Sequence, residues 1–168
     1  MQKNLLIMSE MPQYFINLAD KNFNTHKLWL QNDEDKFISE IQEKVDAIAV
    51  MGGYKITPEL MKSMTNLKII ACYGVGYDAI DIAYAKSLGI KVTNTPEVLN
   101  DEVADTAIAL MLCVYRKILE ADKFARNNSW VNGEFPLTKK FSGSKLGIVG
   151  MGRIGKAIAK RAEAFNCT

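Results

Sequence analysis

Five short apolar or β-branched runs punctuate the first hundred residues: Leu5 to Met8, Lys27 to Leu30, Ala47 to Met51, Leu67 to Tyr73 and Lys91 to Asn94. Several are continuous rather than alternating, which is the pattern of strands covered on both faces and predicts a parallel sheet. The segments between them carry helix signals. Phe37, Ile38, Ile41 and Val45 form one apolar helical stripe, and Thr57-Pro58-Glu59 supplies an N-cap, a first-turn proline and a well-placed acid. Asp81 can cap a further helix and Gly89 can end it. Strands alternating with helices in this way predict a doubly wound α/β domain.

Asn94-Thr95-Pro96 breaks the alternation. From Asn100 to Arg126 the spacing of Val103, Ala107, Met111, Val114 and Ile118 predicts one long helix joining two domains. Asp101 and Glu102 lie in its first turn and Arg116, Lys117, Lys123 and Arg126 toward its end, the charge order favoured by the helix dipole. Asn127 to Ser144 reads as a long polar loop. Leu146 to Val149 is expected to start a new sheet, and Ile154, Ile158, Ala162 and Phe165 to form the buried face of its first helix. The domain expectation is therefore residues 1–99 and residues 100–168.

Two glycine turns match the loose pattern GxGxx[GA]: Gly74-Val75-Gly76-Tyr77-Asp78-Ala79 and Gly150-Met151-Gly152-Arg153-Ile154-Gly155. The second follows an apolar run and opens a helical stripe, as a dinucleotide-binding turn does. Its first glycine allows a tight turn, its second lets backbone approach a pyrophosphate, and Gly155 lets helix and strand pack closely. The amides of Gly152, Arg153 and Ile154 would then face phosphate oxygens at a positive helix end. Arg153 either adds charge there or is an ordinary exposed first-turn residue. Only thirteen residues follow Gly155, short of the second strand whose acid or base selects the cofactor, so the expectation is a fragment of a larger protein. The Gly74 turn differs. Asn94, 18 residues past Gly76, stands where an NAD site would want an acid, and Asp78 would repel phosphate. Two readings stay open for this turn: a plain strand-to-helix connection, or a concavity of exposed amides for a smaller anion. Gly52-Gly53 either lines the same crevice or is a flexible turn.

Bulk properties narrow the partners. In 168 residues, 21 basic and 19 acidic side chains are interspersed, with no basic block to bind nucleic acid or a membrane surface. Cys72, Cys113 and Cys167 are far apart and have no CxxC spacing, so neither a disulfide framework nor a metal site is expected, and a reducing cytoplasm fits best. The apolar run Leu5 to Met8 is too short for a signal peptide. His26, the single histidine, precedes the expected second strand and reads as a surface or strand-edge residue.

Four stretches in order now carry a resemblance: Cys72 through Gly74-Val75-Gly76-Tyr77-Asp78 to Ile80-Asp81; Val92-Thr93-Asn94-Thr95-Pro96-Glu97-Val98-Leu99; Asp101-Glu102-Val103-Ala104-Asp105-Thr106-Ala107; and Leu146 through Gly155. Together they make the chain similar to the D-isomer-specific 2-hydroxyacid dehydrogenases, in particular the branch of hydroxypyruvate, glyoxylate and hydroxyphenylpyruvate reductases. The resemblance implies a flavodoxin-like substrate domain followed by the start of a Rossmann NAD(P)-binding domain, and a homodimer built by the long helix and its loop. By position it assigns the substrate carboxylate to the amides of Val75 and Gly76, with Gly74 and the turn at Gly52 lining the pocket. Gly150, Met151, Gly152, Arg153, Ile154 and Gly155 would hold the pyrophosphate of NAD or NADP. Thr106 would stand near the nicotinamide, unless its hydroxyl is satisfied within its own helix.

The reaction implied is hydride transfer between NAD(P)H and a small 2-keto acid, with no nucleic-acid or membrane partner. Hydride transfer to C2 needs a proton at the neighbouring oxygen and stabilisation of its charge. The family supplies these from an arginine, an acid and a histidine beyond Thr168, so these 168 residues alone are expected to be inactive. Two alternatives are a noncatalytic carboxylate-binding or dimerisation module of the same fold, and a related fold binding a different nucleotide.

Overall fold

Leu6, Ile48, Ile70 and Val92 fall in one register row across four neighbouring strands, and the first three are fully buried. Those strands are β1 (Asn4–Ile7), β3 (Ala47–Met51), β4 (Ile69–Tyr73) and β5 (Lys91–Thr93); with β2 (Asn24–Lys27) they make a parallel sheet in the order β2-β1-β3-β4-β5. The computed structural model describes residues 2–168 and divides after Pro96 into two units, the second being Glu97–Thr168.

In the first unit, side chains alternate between two cores because strand residues alternate faces. The Leu6 row packs with Ile41 and Val45 at the end of α2 (Glu34–Ile41), Met61 of α3 (Pro58–Ser63) and Ala85 of α4 (Ile82–Ser87). Leu5, Ile7 and Ala49 point the other way, onto Ile16 and Ala19 of α1 (Gln13–Asn22). That face is covered only over β1 and β3: Ala71 and Tyr73 of β4 and Lys91 and Thr93 of β5 are exposed. The caps form as expected. Thr57 Oγ1 accepts from Leu60 N at 3.2 Å and Asp81 Oδ1 from Tyr84 N at 2.8 Å. Gly89, at φ +72°, closes α4 while Ile90 N donates back to Ala85 O at 2.9 Å.

Three expectations need correction. The second strand is Asn24–Lys27 rather than Lys27 to Leu30, and it contains His26. Lying at the sheet edge, β2 tolerates polar side chains, while Leu28–Leu30 turns as a 3₁₀ helix that sends Leu28 into one core and Trp29 against the other. The single long helix is two, α5 (Asn100–Arg116) and α6 (Ile118–Arg126), separated by Lys117 in the left-handed region at φ 49°. Leu146 to Val149 has no ladder of its own, and Val149 is fully exposed. The pairing found there is Thr168 N donating to Ser144 O at 3.1 Å and Leu146 N to Thr168 O at 2.8 Å, the two-bond pattern of a parallel pair.

The core of the second unit joins α5 to α7 (Arg153–Glu163) through Ile108, Phe141 and Ala162. Phe141 makes edge-to-face contacts with Tyr115 and Phe165 at 5.3 and 5.1 Å. Arg161 of α7 reaches across to α5, donating to Asp101 at 2.9 Å and to Asp105. Among the described residues no helix is long and apolar enough to cross a membrane, and no cluster of metal-ligating side chains occurs.

Candidate functional site

The carboxyl end of β4 runs straight into Gly74, and the end of β3 into Gly52, so parallel pairing of the two strands brings their turns together. Gly52 N donates to Tyr73 O at 3.2 Å. A Cβ on Gly74 would stand 3.1 Å from Gly52 Cα and 3.3 Å from Gly52 N, a tight approach that a side chain enters only if the Gly52 backbone gives by a few tenths of an ångström. Gly52, Gly74, Val75 and Gly76 are thus gathered at the carboxyl end of the sheet. The amides of Val75 and Gly76 donate to no protein acceptor among the described residues. Two adjacent free N–H groups beyond a strand end are what a carboxylate needs. Asp78 Oδ2 lies 3.5 Å from where a Cβ on Gly76 would be.

Neighbouring groups hold this turn from behind. Asn94 Nδ2 donates to Val75 O at 2.9 Å, Thr95 N to Gly74 O at 2.9 Å, and the Cys72 thiol to Gly76 O at 3.3 Å. Burial pushes the Cys72 pKa up, so the sulfur keeps the proton it donates. Tyr73 shares a hydrogen bond with the Tyr14 hydroxyl of α1, which raises the Tyr14 pKa, and Phe15 tilts against the Tyr73 ring at 6.4 Å. No sequence signal links these partners: Tyr14 and Tyr73 are 59 residues apart, and Asn94 reads in sequence only as a missing acid.

In the second unit, Gly150 turns the chain at φ +95° and Gly152 precedes the first residue of α7. The first amide engaged is that of Lys156, donating to Gly152 O at 3.0 Å; those of Gly152, Arg153 and Ile154 meet no acceptor among the described residues and lie at a positive helix end. Gly155 is buried, and a Cβ there would collide with Gly150 O. Gly152 has nothing within 4 Å of its Cβ position and an ordinary φ of −77°. Neither the backbone nor a neighbour requires glycine there, so the open space is itself the feature, and it fits a pyrophosphate lying against the amides.

Arg153 pairs with Glu97 at 2.8 Å, both largely exposed, and Met151 is exposed beside it. The Thr106 hydroxyl donates to Glu102 O at 2.8 Å within α5, its local satisfaction. His26 Nε2 bonds Asn4 Oδ1 at 3.1 Å on the sheet edge; burial, then the charge of Lys44, lowers its pKa, which favours the neutral ring. Residues 1–96 contain no arginine, so this unit has no guanidinium to polarise a keto oxygen.

The D-isomer specific 2-hydroxyacid dehydrogenase catalytic-domain model matches residues 5–165. The chain is 41% identical over 163 residues to a glyoxylate/hydroxypyruvate reductase A of Arabidopsis thaliana, covering 97% of this chain and 52% of that protein. It is 42% identical over 173 residues to the glyoxylate reductase of Thermococcus litoralis, covering 98% and 52%. Among solved structures, a 2-hydroxyacid dehydrogenase from Ketogulonicigenium vulgare Y25 superposes with a TM-score of 0.91 at 36% identity, over 99% of this chain and 53% of that one. An NADPH-dependent glyoxylate/hydroxypyruvate reductase from Sinorhizobium meliloti, in complex with NADP and malonate, gives 0.85 at 36% identity, over 100% and 52%. The chain spans about half the length of the curated relatives it matches. With two glycine turns built as above and a match running through nearly every residue, the chain belongs to the D-isomer specific 2-hydroxyacid dehydrogenase family.

Proposed function

We propose that this chain contributes the carboxylate cradle and the pyrophosphate turn of an NAD(P)-dependent reductase of small 2-keto acids. The observation that carries the reading is the division of labour between the two turns. One has a pair of free amides on a turn that packs closely against the Gly52 backbone, and the other has free helix-terminal amides facing open space. On this reading Val75 and Gly76 bind the substrate carboxylate, Gly52 and Gly74 shape its pocket, and Gly150 to Gly155 bind NAD or NADP. Residues 1–99 form the substrate domain and residues 100–168 open the coenzyme domain. When bound, the nicotinamide supplies the hydride that reduces C2 of the keto acid. The names of the relatives support glyoxylate and hydroxypyruvate as substrates, and the Sinorhizobium meliloti complex supports NADP as one cofactor. Three free cysteines support a reducing, cytoplasmic setting.

Loss of nicotinamide absorbance is the direct test. The protein that carries this chain should oxidise NADH or NADPH in the presence of glyoxylate, hydroxypyruvate or hydroxyphenylpyruvate, and failure with all three by folded protein sinks the assignment. A polypeptide of these 168 residues should give no turnover, because its only histidine is committed to the edge of β2 and its first unit has no arginine.

A further inference from the structure

In a trans peptide the C=O and the N–H of one unit point in opposite directions, so whatever holds the oxygen also aims the hydrogen. The Gly74 turn, which has no cis bond, is held in this way at three successive units. The oxygens of Gly74, Val75 and Gly76 accept from Thr95 N, Asn94 Nδ2 and Cys72 Sγ. Across those same units lie the N–H groups of Val75, Gly76 and Tyr77, and none of the three meets a protein acceptor among the described residues. Within each unit the tether and the free donor therefore lie on opposite sides. Thr95 acts through its backbone and the Cys72 thiol is a weak donor, which leaves Asn94 as the one side chain that holds this loop with a strong hydrogen bond.

We infer that Asn94 is a positioning residue for the substrate carboxylate: by holding the Val75 carbonyl it fixes the direction of the Gly76 amide. This rests on the carboxylate-cradle reading of the Gly74 turn. It also accounts for the residue type. An aspartate of the same shape would set a charged acceptor against the Val75 carbonyl and place negative charge behind an anion site, whereas the amide donates and stays neutral. The position at which a dinucleotide fold would carry a ribose-binding acid is used here to orient backbone. Pre-organised donors bind an anion without first being ordered, so loosening one of two should cost affinity rather than fold.

The test is an amide-resolved titration of the ¹⁵N-labelled chain with oxamate, an unreactive analogue of a 2-keto acid. In the unsubstituted chain the Val75 and Gly76 amides should shift saturably. Asn94→Ala should move the Gly76 amide before any ligand is added and weaken oxamate about tenfold, the scale of one net hydrogen bond. Asn94→Asp should be equally weak near about pH 7 and recover to within about twofold of the unsubstituted chain once the side chain protonates and can donate again, near or above the ordinary carboxylate value of about 4. Resonances of Leu6 and Ile48 in the core report whether each variant is folded. Folded Asn94→Ala that binds oxamate as tightly as the unsubstituted chain, or Asn94→Asp with no acid recovery, overturns the positioning role. No shift at Val75 and Gly76 in the unsubstituted chain instead overturns the cradle on which it rests.

Discussion

Gly152 and Gly155 stand three positions apart in one turn and answer to different demands. A methyl at Gly155 would fall on the Gly150 carbonyl and within 3.4 Å of Ile148 Cγ2, and a backbone oxygen cannot swing aside as a side chain can. Gly155→Ala should therefore cost about 1–3 kcal/mol or more in a urea melt. At Gly152 the same methyl meets nothing within the chain, so Gly152→Ala should keep its stability within about 0.5 kcal/mol. It should instead weaken NAD(P)H binding at least about tenfold, since the methyl occupies the space against the free amides. Equal loss of stability in both variants would show that the turn is only a packing device. The turn at Gly150 and the close packing at Gly155 were legible in sequence because the fingerprint is local. The Asn94–Val75 hydrogen bond was not, because its partner lies 19 residues away and meets it only when β4 and β5 pair.

Elements show the same distinction between local and long-range signals. Caps at Thr57, Asp81 and Gly89 formed where the residues placed them, since a cap closes within a few positions. The edge strand was misplaced because an apolar run, Leu28 to Leu30, outweighs Asn24 to Lys27 in any pattern, and only the strand order puts β2 at an uncovered edge. The break between α5 and α6 was hidden for another reason: Lys117 is a good helix former, yet it adopts φ 49° and ψ 46°. A left-handed conformation costs an L-residue about 1–2 kcal/mol, partly offset on change to glycine by the entropy glycine loses on folding. Lys117→Gly should therefore stabilise the second unit by up to about 1 kcal/mol and raise its thermal midpoint, while Lys117→Ala should do neither. A stabilising alanine would mean that the two helices run as one in solution. Across the same unit Arg161 ties α7 to Asp101 and Asp105 of α5, and hydrogen bonds to Asp105, then Asp101, raise its pKa further above a value that is never titrated.

For the molecule as a whole, the apolar surface left in water by the second unit matters most. Helix α5 buries Ala104 and Ile108 on one side, yet Leu110 and Val114, one turn apart on another, are 61% and 75% exposed. Leu119 of α6 and Trp130 and Val131 in the 3₁₀ helix Ser129–Asn132 that follows are also exposed. A helix that is apolar on both sides is usually covered on both. The proposed occupant is a second copy of the chain. Two copies related by a two-fold axis would each offer the same patch, and a stable pair needs about 800 Å² from each. Sedimentation should give twice the chain mass at micromolar concentration. Changing both Leu110 and Val114 to Glu should give a monomer with unaltered helix content, because neither side chain belongs to the buried cluster of Ile108, Phe141 and Ala162. A monomer throughout the concentration series would rule out a second copy as the occupant and leave both glycine turns as they stand, since each is built within its own unit.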